Sequence, residues 1–186
     1  IIFISTVKTG LYEQYELDYK NTWNWPRMIQ IAWGIYSPEG VLIAESAPLV
    51  RPNGFAIPPA STKTHGIDHK KVTEEGRMVS IVLDEFEAAL NDVSMVVGHD
   101  LYFDYNVVMA EFERFGRRSK LGKLEQYSTR HKGMMSSKLA DDKNTPSLDE
   151  LYRSLFNEAA PVDTPYQHPL TETRNIARCF FKMKKV

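Results

Sequence analysis

Ile1-Ile2-Phe3-Ile4 opens the chain as a short apolar run, and the turn signal Lys8-Thr9-Gly10 closes it, a pattern that predicts a buried strand running into a loop. Residues 12–27 are polar and aromatic, with Tyr12, Tyr15, Tyr19, Trp23 and Trp25, and Pro26 ends this surface excursion. Two strand-like runs, 28–36 and 41–50, flank Ser37-Pro38-Glu39-Gly40 in the manner of an antiparallel hairpin. From Met78 to Leu90, the residues Val79, Val82, Leu83, Phe86, Ala89 and Leu90 recur at spacings of three and four, which predicts an amphipathic helix. Ser94–Gly98 then reads as a short buried strand. A helix over about 102–115 follows, with Val108, Phe112 and Phe115 on one side and Gly116 ending it. The stretch 117–144 reads as loop with a short helical piece near 134–139. Ser147-Leu148-Asp149-Glu150 is a capping-box pattern that opens a helix through Phe156. Pro169 starts a last helix with Thr173, Ile176, Ala177, Phe180 and Met183 on one stripe. Strands first, then helix, strand and more helices, predict an α/β fold: one domain over residues 1–186, a mixed central sheet flanked by helices.

Composition narrows the function classes. The 186 residues are 42% hydrophobic and 25% charged, ordinary for a globular domain. Twenty-three basic residues against twenty-four acidic ones leave a formal charge of -1, so the footprint of a general nucleic-acid binder is missing and any such site must be local. The single cysteine, Cys179, excludes an internal disulfide framework and a Cys-rich zinc site, and cytoplasm is the expected compartment. No apolar run approaches the ~18 to 20 residues of a membrane span, so no membrane partner is expected. The aromatic cluster between Tyr12 and Trp25 reads as packing rather than base stacking, because few basic residues accompany it. Lys63, His65, His69, Lys70 and Lys71, and then Arg117, Arg118, Lys120, Lys123, Arg130 and Lys132, read as solvated faces.

Four local patterns, taken in order, carry more. Ser5-Thr6-Val7-Lys8-Thr9-Gly10-Leu11 ends the first strand; Ile57-Pro58, Ala60, His65-Gly66-Ile67 and Val72 follow the hairpin. His99-Asp100-Leu101-Tyr102-Phe103-Asp104 and His168-Pro169-Leu170-Thr171-Glu172-Thr173 complete the set. Together they resemble the DEDDh 3′→5′ exonuclease family, the ribonuclease-H-like fold of the proofreading epsilon subunit of bacterial DNA polymerase III. In that family the corresponding patterns are Asp-x-Glu-Thr-Thr-Gly, His-Asn-x-x-Phe-Asp and His-x-Ala-x-x-Asp.

The resemblance implies a site whose four carboxylates bind two divalent ions ~4 Å apart, with a histidine as general base. Here Ser5 and Val7 stand at the first two acidic positions and Thr173 at the last, so only Asp104 and the base-position His168 match. A hydroxyl brings no charge and a valine brings no donor, so two dications would repel beside one carboxylate. No cofactor is firmly implied; Mg²⁺ or Mn²⁺ would serve any residual activity. Asp100 stands four residues before Asp104 and could share one ion with it if helical geometry already holds there. Glu172 adjoins Thr173 but lies ~100° around a helix from it, and is discounted. His168 before Pro169 also suits a helix cap. By resemblance, Thr9, Gly10, Leu11, His65, Gly66, His99 and Phe103 would contact nucleic acid.

The expected function is therefore an exonuclease-like domain that acts on or binds single-stranded nucleic acid or a 3′ end and is catalytically inactive or strongly impaired. The alternatives are an active 3′→5′ exonuclease with an altered metal set around Asp104 and Asp100, and an assembly subunit with a protein partner that binds no nucleic acid.

Overall fold

The computed structural model describes residues 1–14, 16–131, 145–163, 165–166 and 168–184. Its centre is a five-stranded sheet built from β1 (Ile2–Lys8), β2 (Met28–Tyr36), β3 (Leu42–Ser46), β6 (Met95–Gly98) and β7 (Glu125–Ser128), in the order β3-β2-β1-β6-β7. β1 runs antiparallel to β2 and parallel to β6, and β7 is parallel to β6, so the sheet is mixed as expected. A small parallel pair, β4 (Val50–Arg51) and β5 (Arg77–Met78), stands beside it.

Strand alternation divides the core. Ile2 and Ile4 face one layer with α3 (Val79–Ala89) and α4 (Leu101–Arg114), whose buried residues include Val82, Phe86, Val108 and Phe112. Phe3 faces the opposite layer, against Ile176, Ala177 and Phe180 of the last helix, here α6 (Pro169–Lys184). Two short helices, α1 (Pro59–His65) and α2 (His69–Glu75), cover the sheet end, and α5 (Leu148–Phe156) packs on α6. The expected capping box is formed: Ser147 accepts from the backbone of Glu150, whose carboxylate returns to the Ser147 N–H.

The structure differs from the expected elements in four places. β1 takes in Lys8, the first residue of the expected turn, because its polar end pairs with Gln30 to Ala32 of β2 and, past an irregularity after Val7, with Met28. The second hairpin run divides into β3 and β4, with Pro48 between them unable to donate to a ladder. Helices α1 and α2 are too short and polar for a periodic apolar signal. β7 comes from the stretch read as loop, since an exposed edge strand of sequence Glu-Gln-Tyr-Ser lacks an apolar run. The helical piece near 134–139 lies outside the described residues.

Candidate functional site

The C-terminal end of β1 presents side chains to both layers. Ser5 continues the Phe3 side and donates its hydroxyl to Glu172 Oε2 at 2.9 Å. Thr6 and Lys8 take the Ile4 side and converge on Asp104 of α4. Asp104 Oδ1 accepts from Thr6 Oγ1 at 2.6 Å, the Thr6 N–H at 3.3 Å and Lys8 Nζ at 2.7 Å. The Lys8 ammonium also lies 4.0 Å from the centre of the Phe103 ring. Only 7% of the Asp104 side chain and 20% of that of Lys8 are exposed, so the pair sits largely out of water.

Glu172 is therefore a correction to the sequence reading. It stands four residues before the buried Ile176, in the same helix row, so its longer arm reaches β1 from the first turn of α6. Thr173 is buried too, but its hydroxyl donates to the Leu170 carbonyl. Burial pushes the Glu172 carboxyl above its ordinary range, and the charges of Asp104 and Asp100 add to the rise, partly opposed by Ser5 and Lys8.

Asp100 is the cap residue before α4 with φ -102° and ψ 63°, outside the helix, so the helical condition attached to a cation shared with Asp104 does not hold. Its carboxylate instead pairs with Arg130 at 2.9 Å. His99 is buried and structural in its contacts. Its Nε2 donates to the Pro146 carbonyl at 3.1 Å, leaving Nδ1 to accept from the Thr129 hydroxyl at 3.0 Å. Burial lowers its pKa to about 4, and this ring does not face the cleft. His168 is exposed at the start of α6, where its Nδ1 accepts from the Leu170 N–H at 3.2 Å. That bond is a helix cap, and it leaves the proton of the neutral ring on Nε2.

A cavity of about 540 Å³ opens beside Lys8, walled by Gly10, Leu11, His65 and Phe103 together with Thr6, Val7 and Glu172. Four of the seven expected nucleic-acid contacts thus meet at one place. Thr9 supports that wall instead of facing the cavity: its carbonyl accepts from Ser61 Oγ at 2.6 Å and its hydroxyl from the Arg27 N–H at 2.9 Å. Gly66 closes α1 with φ +73°, where a Cβ would come within 2.1 Å of the Tyr166 ring. It lines a neighbouring cavity of about 630 Å³ that contains His168, and Val7 and His65 belong to both.

These residues do not fit two divalent ions. Two dications side by side need several carboxylate oxygens between them to offset their repulsion, yet Val7 offers none and the Ser5 and Thr173 hydroxyls are engaged elsewhere. Asp104 already accepts from an ammonium, and among the described residues no group of three or more His, Cys, Asp or Glu is arranged to hold a metal. Lys8, which the sequence reading left in a turn, ends β1 just past an irregularity between Val7 and Lys8, and its ammonium reaches Asp104.

Residues 26–161 match a protein-family model described as exonuclease, of the RNase_T type. No curated protein sequence matches the chain. Among solved structures, one of exonuclease I shares the fold with a TM-score of 0.78 at 10% identity, covering 99% of this chain and 40% of the other. The zinc-bound form of the E. coli exonuclease I complex with single-stranded DNA gives 0.76 at 11% identity, with 99% and 40% coverage. A product-bound exonuclease I gives 0.77 at 12%, with 99% and 43% coverage. The chain thus spans about two fifths of the length of these proteins. No helix among the described residues is long and apolar enough to cross a membrane. With the family match spanning most of the chain, and with the mixed sheet and helices of the ribonuclease-H-like fold around it, the chain belongs to the DEDDh-type 3′→5′ exonuclease family.

Proposed function

We propose that the chain is an exonuclease-like domain that holds a single-stranded nucleic-acid 3′ end in the cleft beside Lys8 without two-metal hydrolysis. The observation that carries this reading is the Lys8 ammonium, 2.7 Å from Asp104, the carboxylate that the resemblance places at an acid position of the family. One fixed positive charge stands in for ions that would carry four, and an ammonium cannot generate a metal-bound hydroxide. His168 supports the same conclusion. Its Nδ1 is engaged as a helix cap by the Leu170 N–H, so that nitrogen is not free to serve as a base. Binding is supported by the cleft walls, where Leu11 and Phe103 give apolar faces beside the polar Thr6, Ser61 and Thr64. Exonuclease I, which shares this fold, is known in complexes with single-stranded DNA.

The test is release of nucleotides from end-labelled single-stranded DNA and RNA with Mg²⁺ or Mn²⁺, which should not exceed the buffer background. Metal-dependent release that disappears in D104N would overturn the reading and favour an active enzyme with an altered metal set. Restoring S5D, V7E and T173D together with K8T should create metal-dependent binding, whereas single restorations should do almost nothing, because the ions act as a unit.

A further inference from the structure

The charges of the cleft are largely matched within it; unmatched positive charge lies elsewhere. At the C-terminal end of α4 a concavity of about 690 Å³ is walled by Lys20 from the loop after β1 and by Arg117, Arg118, Lys120 and Lys123 from the connector after α4. Two carboxylates face these five cations, Glu87 and Glu113. Glu87 is occupied in fixing the connector: it accepts from Ser119 Oγ at 2.6 Å and the Lys120 N–H at 3.0 Å. Arg117 is held by Asp84, and Lys120 Nζ donates to Asn91 Oδ1. Lys20, Arg118 and Lys123 are exposed and form no ion pair with the described residues.

Three cations from two separate segments, without an ion-pair partner among the described residues, line one hollow, and a solvated face needs no such convergence. The adjoining surface supplies a second feature. Tyr19 is a wall of this hollow and also of a neighbouring one of about 400 Å³ that Tyr102 and Tyr105 line. On α4, Tyr102, Tyr105, Met109 and Glu113 follow at spacings of three and four and form one stripe, about 17 Å long at 1.5 Å per residue. Half-buried aromatic rings leading into unpaired lysines and arginine are the chemistry that binds unpaired bases and their phosphates. An acidic peptide would use the cations and leave the rings idle.

We propose that this stripe is a second binding surface for single-stranded nucleic acid: Tyr19, Tyr102 and Tyr105 meet bases, and Lys20, Arg118 and Lys123 meet phosphates. It shares its ligand class with the cleft reading, and the two surfaces are separable by mutation. The sequence reading took Arg118 and Lys123 as a solvated face and Tyr19 as packing; Tyr19 does pack on the core and edge-to-face on Tyr105, and the proposal adds a ligand to its exposed side.

The test is titration of a fluorescein-labelled single-stranded oligothymidylate at low and moderate salt. K20Q/R118Q/K123Q should weaken binding about tenfold and lower the slope of log K against log salt by about 2, at ~0.7 per lost phosphate contact. E113K, which removes an acid from the same wall, should strengthen binding. L11A in the cleft, which removes an apolar face and no charge, should weaken binding with the salt slope kept, and a duplex of equal length should compete less well than the single strand. Unchanged affinity and slope in the triple variant, with binding weakened in L11A, would overturn the second surface and leave the cleft reading intact. A flat titration of the unmodified protein at both salt concentrations would overturn both.

Discussion

Replacing Lys8 by methionine keeps most of the side-chain length and removes the charge that holds Asp104. Removing one member of a buried ion pair costs about 3 to 5 kcal/mol, because the other charge is left without compensation. Here Lys8 is one-fifth exposed and Asp104 keeps both contacts from Thr6, at 2.6 and 3.3 Å, so the expected loss is lower, about 2 to 3 kcal/mol. For a chain of this length each kcal/mol moves the melting temperature by roughly 2 to 4 °C, so K8M should melt about 4 to 12 °C lower. The variant also exposes the Asp104 and Glu172 carboxylates to any divalent ion. Mn²⁺ at ten times its dissociation constant would return about 1.4 kcal/mol to K8M, while the unmodified protein should gain nothing measurable. Differential scanning fluorimetry of both proteins, with and without Mn²⁺, reads both effects. A loss below about 1 kcal/mol, or equal stabilisation of both proteins by Mn²⁺, would refute the assignment of Lys8 as the resident cation.

Two predictions concern pH. His99 has a folded pKa of about 4 against an ordinary 6.5, so the unfolded chain takes up the proton first as pH falls. Stability is fully present above pH 6.5 and is lost between about 6.5 and 4, by up to about 3 kcal/mol; denaturant melts should show that slope reduced in H99Q, and equal slopes would sink the idea. Glu172 behaves in the opposite sense. Its folded pKa is raised, so its contribution is complete below the unfolded value near 4.5 and declines as pH rises through the folded one. E172Q can still accept from Ser5 and removes this loss, so its melting temperature should match that of the unmodified protein near pH 4 and exceed it by a few degrees near pH 8. A variant that is less stable at pH 8 would contradict the repulsive setting assigned to Glu172.

Much of the architecture was legible because burial leaves a periodic trace. The continuous apolar runs of β1 and β2, buried on both faces, and the three-and-four spacing of α3, α4 and α6 are the marks of faces pressed on a core, and Ser147 and Pro169 mark helix starts by local chemistry alone. The motif order also located Asp104, Gly10, Leu11, His65 and Phe103, which the fold gathers around one cavity or its rim. What the sequence could not supply was pairing. Glu172 lies 167 positions from Ser5 and Lys8 lies 96 from Asp104, and no local rule tells which distant group a long side chain will meet. His99 and Asp100 are adjacent in a suggestive motif, yet one turns inward to Thr129 and Pro146 and the other outward to Arg130. Those choices rest on the backbone angles at the start of α4 and on how β7 lies beside β6, so they exist only once the chain has folded: a side chain's type is written locally, whereas its partner, its solvent exposure and therefore its charge state are properties of the packed structure.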